Sequence, residues 1–255
     1  MALITFLVDY WRKLHLKLPL DPICRLFSLS LSLGKFTDQW KLANVSPVYK
    51  SDDPTLSKNN RPISLLCIVS KCLERCVFNH CYTLISPQLY HLQHGFLRGR
   101  STVTQLLQVY HEVIEALTKG KDIAYLDFAK AFDKVPHCAL LNKLSRFGIS
   151  GQLINWFQRY LSDRYQRVLL QGTYFEWLQV LSGVLQGSIL GPLLFLVYIN
   201  DIPQCITHDS KVAIFADDSK LFKIIEKPSD KFSLQQVLTQ LSIWSDNWEM
   251  CLSIP

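Results

Sequence analysis

The sequence predicts an α+β fold. Three observations lead there. Apolar residues recur at helical spacing in some stretches. In others they alternate or cluster as short strands. An apolar strand pair over 212–225 closes on a two-carboxylate tip, Asp217-Asp218. The chain has 255 residues, 49% hydrophobic and 19% charged, enough for one large domain or two modest ones with a sizeable core. That composition excludes a disordered tail, a collagen-like chain and a low-complexity polymer. The net charge of +6 is unevenly placed: residues 1–124 carry 15 basic and 9 acidic side chains, and 125–255 carry 12 of each. An anion-facing first half and a second half of paired or functional carboxylates are implied.

The elements follow in chain order. Residues 1–35 look helical in patches. WKLANVSPVYK at 40–50 alternates like a strand, and a polar loop through Asp52, Asp53 and Asn59-Asn60 leads to Arg61-Pro62. Pro62 suits the first turn of a helix, whose stripe is Leu65, Leu66, Val69, Cys72, Leu73, Cys76 and Val77. A second helix begins at Ser101-Thr102, carries Val103, Leu106, Leu107, Tyr110, Val113, Ile114 and Leu117, and ends at Gly120. Residues 123–128 read as a short buried strand, and 138–147 and 152–162 as helices flanking Gly148 and Gly151. Residues 165–181 read as two strands joined around Gly172. The glycine-rich stretch GVLQGSILG at 183–191 leads into a helix over Leu193–Ile199. The strand pair of 212–225 and an amphipathic helix with Leu234, Val237, Leu238, Leu241 and Trp244 complete the chain.

The eight cysteines form no Cys-x-x-Cys pair and mostly lie in apolar runs, so they read as reduced core residues of an intracellular protein rather than a disulfide framework. Cys76 and His80, with Cys72 and Cys81, match no structural zinc spacing. The N-terminal MALITFLVDYW has too few apolar residues for a transmembrane span and lacks the flanks of a signal peptide. The expectation is a nuclear or cytoplasmic protein with no membrane partner.

Asp127 ends an apolar strand, and Asp217-Asp218 tip an apolar hairpin. Adjacent carboxylates in apolar surroundings raise each other's pKa unless a cation neutralises them. A divalent metal with hard oxygen ligands is the economical explanation, namely Mg²⁺ completed by waters and phosphates. Taken alone, however, an Asp-Asp pair is more often a plain turn.

Six stretches change that balance: WKLANVSPVYK (40–50), RPISLL (61–66), QHGFLRGRST (93–102), YLDFAKAFDKVPH (125–137), SGVLQGSILGPLLFLVYINDIP (182–203) and FADDSKL (215–221). In this order the chain resembles the reverse-transcriptase domain of non-long-terminal-repeat, LINE-type retrotransposons, the jockey-like and chicken-repeat-like lineages. The resemblance implies an RNA-directed DNA polymerase with a right-hand fold: a helical extension over 1–35, fingers over 36–121, and a palm over 122–255 with part of 138–180 packing on the fingers. Asp127, Asp217 and Asp218 match the catalytic, metal-binding carboxylates, and Phe128 would offer its carbonyl to a metal. Two Mg²⁺ ions are implied, with Mn²⁺ as a substitute. Phe132 matches the steric gate under the sugar, which implies deoxynucleoside triphosphates. Gln186 and Gly187 match the step lining the nucleotide, and Lys50 and Arg61 the basic residues of the fingers. An RNA template and DNA primer are the implied partners, with Arg98 and Arg100 on template phosphates.

Other residues carry plainer expectations. Asp133 reads as structural, His94 and Gly95 as shaping a turn, Tyr125 and Phe215 as core, and Trp156, Trp177, Trp244 and Trp248 as packing. Leu185 stands where the family usually has Pro, which is expected to loosen the loop before Gln186. Asn60 stands where an aromatic residue usually precedes Arg-Pro. The chain stops before the family's next lysine-bearing box, so thumb and endonuclease are expected only in a longer element, and grip on primer–template is expected to be weak. The alternative to a polymerase is an inactive truncated remnant that at most binds RNA. A viral RNA-copying polymerase fits less well, since it usually places Gly before its Asp pair and Phe132 argues against it.

Overall fold

The computed structural model describes residues 20–53, 55–128, 132–206, 210–216 and 218–250, without the side chains of 20, 21, 58 and 122–128. Residues 1–19, Asp217 and Cys251 therefore lie outside the described residues, as do the side chains of Tyr125 and Asp127. In chain order the described elements are α1 (Leu20–Ser32), β1 (Leu42–Tyr49), β2 (Asn60–Leu65), α2 (Ile68–Ile85), α3 (Thr102–Thr118), β3 (Asp122–Phe128), α4 (His137–Arg146), α5 (Gln152–Leu161), β4 (Arg164–Leu170), β5 (Thr173–Tyr174), β6 (Leu178–Val180), α6 (Gly191–Ile199), β7 (Ser210–Phe215), β8 (Asp218–Ile225) and α7 (Pro228–Asn247). They fall into two compact units. One holds the chain up to Pro87 together with His137–Leu194, and the other holds Gln88–Pro136 together with the chain from Phe195.

The first unit is built on a sheet in the order β2-β1-β4, with β5 and β6 both paired to β4. β1 and β2 are antiparallel, and Pro47 faces Pro62. Pro62 thus sits in a strand, not in the first turn of a helix, and α2 begins only at Ile68. β2 is an edge strand, where a residue without an N–H is tolerated. The parallel pairing of β1 with β4 runs from Leu42↔Tyr165 to Val45↔Val168 and stops before Pro47, which has no donor to continue it. The stretch 165–181 contributes three strands rather than two. β4 turns into β5 through Gln171-Gly172, both at positive φ, the geometry of a two-residue hairpin.

Aromatic packing closes this unit. Phe36 meets Trp40, Trp156 and Tyr160 edge-on at centroid distances of 5.5, 5.4 and 5.2 Å. Trp156 donates to Ser30 Oγ at 3.0 Å, tying α5 to α1. Each such buried aromatic contributes roughly 1.5–3 kcal/mol. Trp177 departs from the packing expectation: it is well exposed, with the Arg167 guanidinium 4.5 Å from its ring centroid. Only Cys76 and Cys81 of the described cysteines are fully buried, and Cys138 is exposed, so the core expectation holds for two of them.

The second unit carries the antiparallel sheet β3-β8-β7. Its register runs from Asp122↔Ile225 to Phe128↔Ser219 on one side of β8 and from Ser210↔Lys223 to Phe215↔Asp218 on the other. α3 packs on β3 and β7, and α7 packs on β8. That packing is why residues 88–121, expected with the first part of the chain, cluster with 195 onward. α3 starts on a reciprocal cap: Thr104 N–H donates to Ser101 Oγ, and Ser101 N–H donates to Thr104 Oγ1. Its apolar stripe is not core. Val103, Leu106, Leu107, Tyr110 and Leu117 are exposed, and the helix buries Gln105 and Ala116 instead. Trp244 of α7 donates to Asp201 Oδ1 at 3.1 Å. Residues 193–199 of α6 are all buried. Among the described residues no helix is long and apolar enough to cross a membrane.

Candidate active site

Strand register gathers the carboxylate positions in the second unit. Asp127 stands next to last in β3, opposite Lys220. Asp218 opens β8 two residues before Lys220 and faces Phe215 across a two-residue connection. The end of β3 therefore lies beside the turn that carries the Asp pair. Asp218 is exposed. Ala216, in that turn, is buried with φ +55, a conformation L-residues enter at a cost. Among the described residues no three His, Cys, Asp or Glu side chains form a metal-holding group. The members that would complete one here, Asp217 and the Asp127 side chain, are outside the description. In donor chemistry the three positions fit a hard divalent cation, since all are carboxylates.

Phe132 lies in the same unit, on the short 3₁₀ turn Phe132–Lys134 after β3. Its ring stacks on Phe195 of α6, centroids 4.1 Å apart and planes 15° from parallel, and meets Phe96 edge-on at 6.0 Å. Two-sided aromatic contact fixes the ring while leaving it half-exposed. Asp133, on that turn, is exposed. Arg98 and Arg100 are exposed too. Arg100 donates to His94 Nε2 at 3.1 Å, and His94 Nδ1 lies 2.9 Å from Thr104 Oγ1, so this arginine also braces the start of α3. Burial, and then the Arg100 charge, push the His94 pKa below its usual range.

The basic and nucleotide-lining candidates gather in the first unit. Arg61 of β2 faces Val48 of β1, and Lys50 follows β1, its N–H donating to Asn59 O at 2.9 Å. Two residues along from Val48, Lys50 shares a hairpin face with Arg61. Both side chains are exposed. The 183–191 loop docks on the same strand. Ser64 of β2 donates its N–H to Gln186 O at 2.8 Å. Gly187 has φ +104, and a Cβ there would lie 2.6 Å from Ser64 O, so only glycine allows this approach.

Glu74 of α2 holds the far end of this loop. Fully buried, its Oε2 accepts from the N–H groups of Ile189 (2.9 Å) and Leu190 (3.3 Å), just ahead of α6. Burial pushes its pKa up, opposed by those two N–H groups and then by Arg164. Arg164, buried as well, donates to the carbonyls of Tyr160 (2.8 Å) and Trp40 (3.2 Å). His137, at the start of α4, donates from Nε2 to Gly183 O at 2.9 Å. Burial pushes its pKa down, opposed by that hydrogen bond. Leu185 packs with Ala43 and Leu66. The loop is thus held by Ser64, Glu74 and His137 even with Leu in place of Pro.

The profile of the family described as "Reverse transcriptase (RNA-dependent DNA polymerase)" matches residues 48–254. The chain belongs to the reverse-transcriptase family. The RNA-directed DNA polymerase from the mobile element jockey of Drosophila melanogaster is 31% identical over 238 residues, covering 88% of this chain and 26% of the relative. The probable RNA-directed DNA polymerase from transposon X-element of the same fly is 32% identical over 204 residues, covering 77% and 22%. The chain thus spans about a quarter of the length of the curated relatives it matches. These are non-LTR elements, and the chain is a reverse-transcriptase domain of that type. Apo telomerase from Candida tropicalis superposes with a TM-score of 0.58 at 12% identity, over 86% of this chain and 44% of telomerase, which shows the right-hand polymerase fold. Reverse transcriptases work with divalent metal ions.

Two residues of the site are not singled out by the sequence, Glu74 and His137. Glu74 sits within a helical stripe and reads there as an interrupting charge. Its role exists only through the contact with residues 189–190, far along the chain.

Proposed function

We propose that this chain is the part of a mobile-element reverse transcriptase that adds deoxynucleotides to a primer 3′-hydroxyl on an RNA template. The observation that carries the reading is the register that sets Asp127 of β3 beside the start of β8 at Asp218. Asp127, Asp217 and Asp218, with the Phe128 carbonyl, would hold Mg²⁺, two ions by the family resemblance. Bound there, the ions supply positive charge at the reacting phosphate. Arg61 and Lys50 grip the triphosphate, Arg as a bidentate clamp and Lys as a point charge. Gln186 and Gly187 line the nucleotide. Phe132 packs under the sugar and disfavours a 2′-hydroxyl. The primer hydroxyl attacks the α-phosphate and pyrophosphate leaves, with positioning and charge neutralisation supplying most of the rate. The unit with Lys50 and Arg61 takes the fingers role, and the unit with the aspartates, including residues 88–121, takes the palm role. Arg98 and Arg100 would meet template phosphates.

The test is single-nucleotide extension of a primer on an RNA template, with protein in excess and either dGTP or GTP opposite a template C. Extension with dGTP alone, lost in Asp217→Asn, is expected. Folded protein that binds RNA but never extends the primer would show a remnant instead.

A further inference from the structure

We infer that Gln93 is a positioning residue for the carboxylate turn, holding Ala216 in its left-handed conformation from outside the sheet; this rests on reading that turn as a metal site. Residues 92–95 lie along the free edge of β7. His94 N–H donates to Ile214 O at 2.8 Å, Ile214 N–H donates to Leu92 O at 3.4 Å, and Gln93 pairs with Ile214 as a parallel bridge. This short ladder ends at Ile214. The N–H of Ala216 lies beyond it on a buried residue, where an unpaired donor is costly. Gln93, itself buried, fills that role with its side chain: Oε1 accepts from Ala216 N–H at 3.1 Å and from Gly95 N–H at 2.7 Å. Gly95 completes the fit, because a Cβ there would lie 2.3 Å from Ala216 N. One carbonyl oxygen thus links the 92–95 segment to the residue before the Asp pair. Through Ala216 it sets where β8 begins and how Asp218 stands relative to the end of β3. Residues beyond the ligands that orient a metal site in this way change metal affinity or activity roughly 10–100-fold when replaced.

The experiment compares Gln93→Met, which fills the space without a strong acceptor, with Gln93→Glu, which retains one. Three quantities are read: thermal unfolding, hydrogen exchange of the Ala216 amide, and Mn²⁺ affinity of the chain without nucleic acid by titration. The expected result is a Gln93→Met protein that melts near wild type, exchanges Ala216 much faster, and binds Mn²⁺ about 10-fold or more weakly. Gln93→Glu keeps the Ala216 amide protected. A folded Gln93→Met with wild-type exchange or wild-type Mn²⁺ affinity overturns the inference, and so does a wild-type chain that binds no Mn²⁺. If Gln93→Met fails to fold, fast Ala216 exchange in a folded Gln93→Glu also overturns it. Failure of primer extension by wild-type protein that binds Mn²⁺ would instead count against the polymerase reading and leave the positioning role standing.

Discussion

Replacing Glu74 separates the hydrogen-bonding role of its carboxylate from its charge. Glu74→Met keeps the side-chain volume on α2 but strands the N–H groups of Ile189 and Leu190, which now donate to Oε2 at 2.9 and 3.3 Å. A buried donor without a partner costs about 1–3 kcal/mol. The longer Leu190 contact belongs at the low end, so the pair amounts to about 2–4 kcal/mol, a large part of the 5–15 kcal/mol typical of a domain. Glu74→Gln retains an acceptor oxygen and is expected to cost about 1 kcal/mol or less. Its effect depends on pH. Burial raises the Glu74 pKa in the fold above the unfolded 4.5. The corresponding stability is complete below pH 4.5 and is lost as pH rises through the folded value. Gln does not titrate, so raising the pH shifts the stability difference in favour of Glu74→Gln. Urea unfolding followed by tryptophan fluorescence, with Trp156 buried in the same unit, reads both effects at pH 4.5 and pH 8. A Glu74→Met protein within about 0.5 kcal/mol of wild type, at the level of a surface change, would refute this account of the loop.

Gly187→Ala places a Cβ 2.6 Å from Ser64 O at φ +104; strain of about 1–3 kcal/mol is expected, read as a lower melting temperature together with a raised KM for deoxynucleotide. Phe132→Val removes the ring stacked on Phe195 and is expected to increase ribonucleotide incorporation about 10-fold or more, since one pocket contact worth 1–3 kcal/mol sets that scale; unchanged selection of dGTP over GTP would oppose the gate assignment. For His137, burial lowers the folded pKa below 6.5, so its stabilising contribution is present above pH 6.5 and lost as pH falls through the folded value. Unfolding midpoints from pH 8 to 5 should fall less steeply in His137→Gln, and parallel curves would contradict this role.

Local signals in the sequence located much of this structure. Ser101 capping a helix that Gly120 ends, helices on either side of Gly148 and Gly151, and the strand pair over 212–225 all depend on nearest neighbours, though the expected tip at Asp217-Asp218 differs from the structure, where Asp218 already belongs to a strand. Pro62 misled because proline suits both a helix start and an edge strand, and only the pairing with Pro47 decides between them. The stripe on α3 misled differently: periodicity identifies an apolar face but not what covers it, and in the described structure this face is exposed. Among the proposed site residues, Asp127, Asp217 and Asp218 are marked by the family resemblance, since an Asp pair alone reads as a plain turn. Glu74, Gln93 and His137 are not marked. Each meets at least one backbone group distant in sequence, and no local pattern marks a side chain that meets such a partner.

The proposed function requires that the end of β3 and the β7–β8 turn hold divalent metal at one site. Replacing Mg²⁺ with Fe²⁺ and adding ascorbate and peroxide cuts a polypeptide beside the bound ion, so the cuts can be mapped by mass spectrometry. A single site gives two clusters of cuts, one around Asp127 and one around Asp217-Asp218, both suppressed by Mg²⁺ and lost together in either Asp127→Asn or Asp217→Asn. Cuts at only one of these places, or cuts that persist in both variants, would contradict it.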